Sequence, residues 1–344
     1  MRIWHGRKPD VPPLRRAVAT IGMFDGVHRG HQRLIQTTVR WAKRLHATSV
    51  VVTFHPDPQQ VLNAYAPPPL TSLERRLELI NELGVDVVWV LPFTRAFSRL
   101  TPEAFVHEVL RARLRAAAVV VGETFAFGRD RRGDLRMLRA LGRREGMRVV
   151  VVPPVRRGGA AVSSSRIRAL LQQGQWRRAA QLLGHPVELA GSVIRGAGRG
   201  ARLGFPTANL ALGRTVTPPH GVYAVDVLAA GRRWPGVMNV GVRPTFAARP
   251  SGSARSGLAP PRQAFRSRPD GGSFTGTGGV PAAGSSTVCE VYLEGFRGRL
   301  YGRRLTVLLR ARLRDERKFA TPEALARQIS RDVGRAREVL ASHS

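Results

Sequence analysis

The chain of 344 residues holds one cysteine, Cys289, and only three lysines, Lys8, Lys43 and Lys318. A single thiol excludes an internal disulfide. No apolar run approaches the roughly 20 residues a membrane helix needs, and the stretch 1–13 is charged and broken by prolines, with no apolar segment for a signal peptide. These absences lead us to expect a soluble cytoplasmic protein with no membrane partner. Acidic residues are also scarce, 23 against 56 basic, for a net charge of +33. An excess of that size points to nucleic acid or an anionic lipid surface. Yet all but three of the basic residues are arginine, in a chain rich in Ala, Gly and Pro, and these four amino acids share GC-rich codons. Genomic drift raises such a count without selection for a polyanion. The arginines are spread over the whole length, with no basic tail or arm, so no specific nucleic-acid partner is expected.

What is present is ordinary globular material, 43% apolar and 23% charged, long enough for two domains. In the first half, β-branched runs at 17–21, 50–53, 85–91, 119–121 and 149–152 read as strands. Helical patterns at 32–45, 73–83 and 102–113 lie between them. Strands that alternate with helices and are apolar on both faces predict α/β architecture, a parallel sheet sandwiched by helices of the Rossmann-like nucleotide-binding type. Two short helices, 165–173 and 176–183, precede Gly184, and from His185 strands dominate. Runs at 187–194, 222–228, 237–240, 288–293 and 305–309, separated by Gly and Pro turns, predict a small antiparallel β-barrel. A C-terminal helix at 322–340 opens with Thr321 as N-cap and Pro322 in its first position. The domains are thus expected at 1–184 and 185–344. The stretch 247–286, rich in Gly, Ser, Pro, Ala and Arg with the single acid Asp270, is expected to be a disordered insertion.

Strand 17–21 runs into Gly22-Met23-Phe24-Asp25-Gly26-Val27-His28-Arg29-Gly30-His31 at the start of a helix. Glycines let backbone approach a phosphate, and a helix start offers free N–H groups and a positive dipole end. His28 and His31, three apart, are expected to share one face there. A second polar cluster, Ser163-Ser164-Ser165-Arg166-Ile167-Arg168, opens another helix; its serines suit a cap, and Arg168 suits a triphosphate clamp. In the second half, Gly196-Ala197-Gly198-Arg199-Gly200-Ala201-Arg202-Leu203-Gly204 is followed by Phe205-Pro206-Thr207-Ala208-Asn209. Thr207 and Asn209 supply hard oxygen ligands suited to Mg²⁺ beside ATP phosphates. Along 288–296 the strand alternates, with Cys289, Val291 and Leu293 on the expected barrel interior and Glu290, Tyr292 and Glu294 on the other face.

The first pair of motifs, with Val52-Thr53-Phe54-His55-Pro56, Leu70-Thr71-Ser72-Leu73-Glu74 and Val121-Gly122-Glu123-Thr124-Phe125-Ala126-Phe127-Gly128, resembles the adenylyltransferase module of bacterial bifunctional riboflavin kinase/FAD synthetases. The Gly-rich run with Pro206-Thr207-Ala208-Asn209, together with Gly221-Val222-Tyr223, Asn239-Val240-Gly241, Arg243-Pro244-Thr245-Phe246, Leu300-Tyr301-Gly302 and the stretch from Arg314 to Phe319, is similar to the kinase module of the same enzymes. The resemblance implies phosphorylation of riboflavin to FMN by ATP with Mg²⁺, then adenylylation of FMN to FAD with release of pyrophosphate. It places Gly22, Phe24, Asp25, Gly26, His28, Gly30, His31, Thr124, Ser164, Ser165 and Arg168 at the adenylyltransferase nucleotide. It places Gly196, Gly198, Gly200, Gly204, Thr207, Asn209 and the catalytic Glu290 at the kinase site. Two positions depart from the family: Thr124 stands where Asn or Asp is usual, and Phe54-His55-Pro56-Asp57-Pro58 replaces Phe-x-Pro-His-Pro. Both bear on synthetase strength. The alternatives are a chain with riboflavin kinase as its one active module, and a basic nucleic-acid-binding protein on a nucleotidyltransferase scaffold. The sequence leaves oligomeric state open.

Overall fold

β-branched runs bounded by turns make the strands of both halves. The computed structural model describes residues 1–7, 14–63, 66–196, 199–242 and 287–342. Six strands, β1 (Arg2–His5), β2 (Ala17–Ile21), β3 (Thr48–His55), β4 (Val87–Pro92), β5 (Ala116–Gly122) and β6 (Arg148–Val152), form a sheet in the order β1-β4-β3-β2-β5-β6. Every pairing in it is parallel. Helices α1 (Arg29–Arg44), α2 (Pro58–Leu62), α3 (Leu73–Asn81), α4 (Arg95–Ser98), α5 (Pro102–Phe105) and α6 (Leu135–Arg144) connect the strands. Both sheet faces are apolar because both are covered. Ala17, Ala19 and Ile21 join one core and Val18 another on the opposite face.

A short hairpin, β7 (Arg156–Arg157) and β8 (Ala160–Ala161), leads to helices α7 (Ser164–Gln172) and α8 (Trp176–Leu183). Beyond them β9 (Glu188–Ile194), the single-turn helix α9 (Arg199–Arg202), β10 (Thr207–Ala211), β11 (Gly221–Ala229), β12 (Arg232–Val242), β13 (Thr287–Leu293) and β14 (Arg304–Arg314) follow. The six strands close into an antiparallel barrel in the order β10-β13-β12-β11-β14-β9. The last helix, α10 (Pro322–Ala341), is capped by Thr321 as expected. It covers the outer face of the barrel through Val333 and Ala336 against Val222, Ala224, Val237, Ala311 and Leu313. Ile167, Leu171, Ala179, Leu182 and Leu183 of α7 and α8 share one core with the barrel interior, so the two halves meet through apolar packing.

Three local readings differ from expectation. β1 is not among the expected strands, because a four-residue edge strand carries too short a pattern. Residues 207–211, not among the expected strands, are a barrel strand, since both β9 and β13 pair with them. The helix expected over 102–113 widens into a π-helix at Val106–Arg113, closed by the Leu114 N–H to the Val109 carbonyl. The expected insertion at 247–286, the Arg243–Phe246 motif and Gly198 lie outside the described residues.

Candidate functional site

In the parallel sheet the chain leaves β2 for β3 on one side, while β5 pairs on the other. The carboxyl end of β2 is therefore the switch point at which open α/β sheets bind ligands. Residues 22–31 occupy it. Phe24 takes a left-handed conformation (φ 51°) and Gly26 another (φ 75°), where a Cβ would lie 2.8 Å from Leu70 Cδ1. At Gly22 and Gly30 the neighbours are side chains: a Cβ would come within 3.2 Å of the Phe24 ring and 3.1 Å of the His28 ring. Those two glycines make room for the Phe24 and His28 rings.

His28 is the N-cap of α1, one residue ahead of the helix, and its ring still meets that of His31. Its Nδ1 accepts the His31 N–H at 3.3 Å. The two imidazoles stack with centroids 3.6 Å apart, and His31 meets the Phe24 ring edge-on at 5.2 Å. Burial lowers His28 to about 4, with the nearby His185 adding to the shift. Burial, His28 and Arg76 together hold His31 well below the ordinary histidine value. At neutral pH the pair is uncharged and offers hydrogen bonds rather than positive charge.

Asp25 ties this loop down. Its buried carboxylate accepts the Leu70 N–H at 2.9 Å and the Thr71 N–H at 3.2 Å, and pairs with Arg168 at 2.7 Å. The Ser164 hydroxyl donates to the Asp25 carbonyl at 3.0 Å, and Arg168 Nε donates to the Pro68 carbonyl. The head of α7, capped by Ser163, is thereby drawn against the head of α1, and two helix N-termini converge on one point. Ser165 and Thr124 are exposed, and Asp57 caps α2 by accepting the Gln59 N–H at 2.8 Å. Beside the loop, Phe54, Phe93, Phe97, Phe105, Phe127 and Phe125 form a chain of aromatic contacts. Its end members, Phe54, Phe93 and Phe125, are only partly buried, so a planar ring can stack there.

A second site lies on the barrel. Cys289, Val291 and Leu293 face the interior as expected, and so do Ala208, Leu210, Met238 and Val240. The alternate residues Thr207, Asn209, Asn239, Glu290 and Tyr292 therefore share the outer face. Register places Asn209 and Asn239 on either side of Glu290, a row across three adjacent strands. The Gly-rich loop folds directly over it. A Cβ at Gly196 would overlap the Asn209 amide, and one at Gly200 would lie 2.9 Å from Thr207 Oγ1. Gly204 has φ 84°. A Cβ at Gly241 would overlap the Glu316 carboxylate, which brings a second acid to the edge of the row. Asn239 and Glu316 stand in runs whose family likeness is visible in the sequence, yet only strand pairing and loop packing bring them to Glu290. The oxygens of Thr207, Asn209 and Glu290 are hard donors on one face, a set that fits Mg²⁺ held jointly with nucleotide phosphates. No cluster of three or more His, Cys, Asp or Glu residues able to hold a metal unaided occurs among the described residues, and none of their helices is long and apolar enough to cross a membrane.

Comparison with known proteins divides the chain in the same order. Residues 11–166 match the FAD synthetase family model and residues 183–340 the riboflavin kinase model. A bifunctional riboflavin kinase/FMN adenylyltransferase of Escherichia coli K12 is 35% identical over 328 residues, covering 95% of this chain and 93% of that protein. The protein of that name from Pseudomonas fluorescens is 37% identical over 330 residues, 96% of this chain and 95% of its own. A solved structure described as a macrolide-efflux protein from Streptococcus pneumoniae superposes with a TM-score of 0.79 at 27% identity, covering 98% of this chain and 99% of that one.

Proposed function

The chain belongs to the bifunctional riboflavin kinase/FMN adenylyltransferase family, and on that premise we propose how its residues divide the two reactions. It phosphorylates riboflavin to FMN and adenylylates FMN to FAD, releasing pyrophosphate. The kinase is assigned to residues 185–344 and the adenylyltransferase to 1–184. Carrying this reading is the Asn209, Glu290, Asn239 row beneath the Gly-rich loop, a layout suited to an alcohol acceptor beside a nucleotide.

In the kinase, Glu290 accepts the proton of the riboflavin 5′-hydroxyl as its oxygen attacks the γ-phosphorus of ATP and ADP departs. Gly196, Gly198, Gly200 and Gly204 let the loop lie close over the phosphates. Thr207 and Asn209 would hold Mg²⁺, which would shield phosphate charge when bound. In the adenylyltransferase the FMN phosphate is already ionised, so no general base is needed and positioning dominates. Gly22, Phe24, Gly26 and Gly30 set the loop and the His28/His31 stack. That pair donates hydrogen bonds to the ATP phosphates at the converging helix heads, with Ser164, Ser165 and Thr124 around it. Asp25 orients Arg168, and the flavin ring stacks on the exposed aromatic edge of Phe54 and Phe93.

Purified protein given riboflavin, ATP and Mg²⁺ is expected to yield FMN and then FAD, resolved by chromatography. Glu290→Gln should lower FMN formation by about 10²-fold or more and leave FAD formation from supplied FMN intact. His28→Ala should do the reverse. Loss of both activities in either variant would contradict the division of labour.

A further inference from the structure

Arg76 is a buried charge without a matching partner. It lies on α3, 4% exposed, with Nη1 3.5 Å from both Thr53 Oγ1 and the Phe54 carbonyl, the outer limit of a hydrogen bond. Its Nε has no partner among the described residues. Burial lowers its proton affinity below the ordinary arginine value, while Asp25, Asp57 and Glu74 act to raise it. None of those carboxylates is in contact with it. Asp25 is taken up by Arg168 and two backbone N–H groups, Asp57 caps α2, and Glu74 pairs with Arg304. A buried guanidinium is ordinarily held by a bidentate acid, because five donors taken out of water are expensive to leave unmet.

Its surroundings indicate which anion fits. Arg76 acts electrostatically on His31, whose buried Nδ1 is also without a partner among the described residues. Its contacts with Thr53 and the Phe54 carbonyl put it at the carboxyl end of β3, where the Phe54 ring, on the opposite face of the sheet, meets Phe93 at 5.8 Å. It therefore stands at the carboxyl edge of the sheet, near the imidazoles assigned to ATP and across that edge from the surface assigned to the flavin ring.

We propose that Arg76 is the cation of the adenylylation centre and binds the 5′-phosphate of FMN for in-line attack. The inference rests on the assignment of the adenylyltransferase to 1–184. One oxygen of the FMN phosphate bonds to the α-phosphorus, and the bond from that phosphorus to the bridging oxygen breaks. Pyrophosphate leaves with the electron pair, and no proton moves. Arg76 stays protonated throughout and offsets the charge of two phosphates brought together, which the neutral His28 and His31 do not.

FAD formation from FMN and ATP tests this, with riboflavin phosphorylation by the same chain as the control for folding. Arg76→Gln should raise the KM for FMN by about tenfold or more, the weight of one charge-assisted hydrogen bond. The KM for ATP and the kinase rate should stay within about threefold of wild type on the same scale, and Arg76→Lys should recover part of the FMN affinity. Equal rises in both KM values, or an unchanged KM for FMN, would overturn the proposal. If Arg76→Gln does not fold, Asp57→Asn decides: it keeps the helix cap and removes a negative charge that acts on Arg76 through space. A lower KM for FMN then supports the proposal, and an unchanged or higher one overturns it. His28→Ala, run alongside, reports on the site assignment itself, because undiminished FAD formation there would displace the whole site and not Arg76 alone.

Discussion

Burial decides the charge of the two histidines at the head of α1, and this has a consequence for stability. The unfolded chain binds a proton at His28 near pH 6.5, whereas the folded chain resists until about 4. Between those values the unfolded state holds more protons at His28, so this group's contribution to stability is constant above pH 6.5 and is lost as the pH drops toward 4. The loss is on the order of 3 kcal/mol for His28, and His31 acts in the same direction. Urea midpoints measured from pH 7.5 to 4.5 should therefore slope less in His28→Asn, which keeps an acceptor for the His31 N–H. Equal slopes would contradict the burial account. The sequence shows the spacing of these histidines and the glycines around them. It does not show that they are stacked and uncharged, nor that Arg76, on another element, acts electrostatically on His31, because those facts depend on what covers the loop.

At the scale of elements, the candidate kinase site is a matter of strand register. Pro206-Thr207-Ala208-Asn209 is legible as a metal-and-phosphate motif, and the two-residue alternation along β13 correctly separates Glu290 from the interior. That Asn209 and Asn239 flank Glu290 follows only from the pairing of β10 and β12 with β13, a long-range choice that local pattern does not contain. The Gly-rich loop has its own test. At Gly196 any Cβ overlaps the Asn209 amide, so Gly196→Ala should displace either the loop or Asn209. Kinase activity is expected to fall by about tenfold or more, from loss of ligand geometry, with FAD formation from supplied FMN unchanged. Unaltered kinase kinetics would show that the loop opens away from Asn209 during turnover.

For the whole molecule, the junction matters more than the charge. Arg75 on α3 forms a forked pair with Glu188 on β9, at 2.5 and 3.0 Å, and Arg304 of the barrel reaches Ser72 at 2.7 Å. Gln32, one turn after His28, donates to the Leu183 carbonyl at the end of α8, and His185 bonds the Gly26 carbonyl at 3.0 Å. The adenylyltransferase loop is thus fastened to the start of the kinase. Glu188→Gln should lower stability to urea by about 2 kcal/mol, less than a fully buried pair would lose because Glu78 and Glu82 also meet Arg75. An unchanged midpoint would mean that the apolar core shared by α7, α8 and the barrel holds the halves together alone. The +33 net charge takes on a different meaning here, since Arg75, Arg168, Arg310 and Arg314 are spent on internal acids. The rest leaves a positive surface toward which anionic nucleotide and FMN are drawn at low salt.

Alternation of strand and helix and the turn residues determine a sheet module and a barrel module, and the two Gly-rich runs with their following polar residues mark a candidate phosphate site in each. Those features are local, and local periodicity and steric permission are carried by neighbouring residues. Tertiary structure alone decides the charge state of His28 and His31, the row around Glu290, and the solitary position of Arg76. Burial, register and the satisfaction of each charge are properties of groups far apart in the chain, settled only when the elements pack.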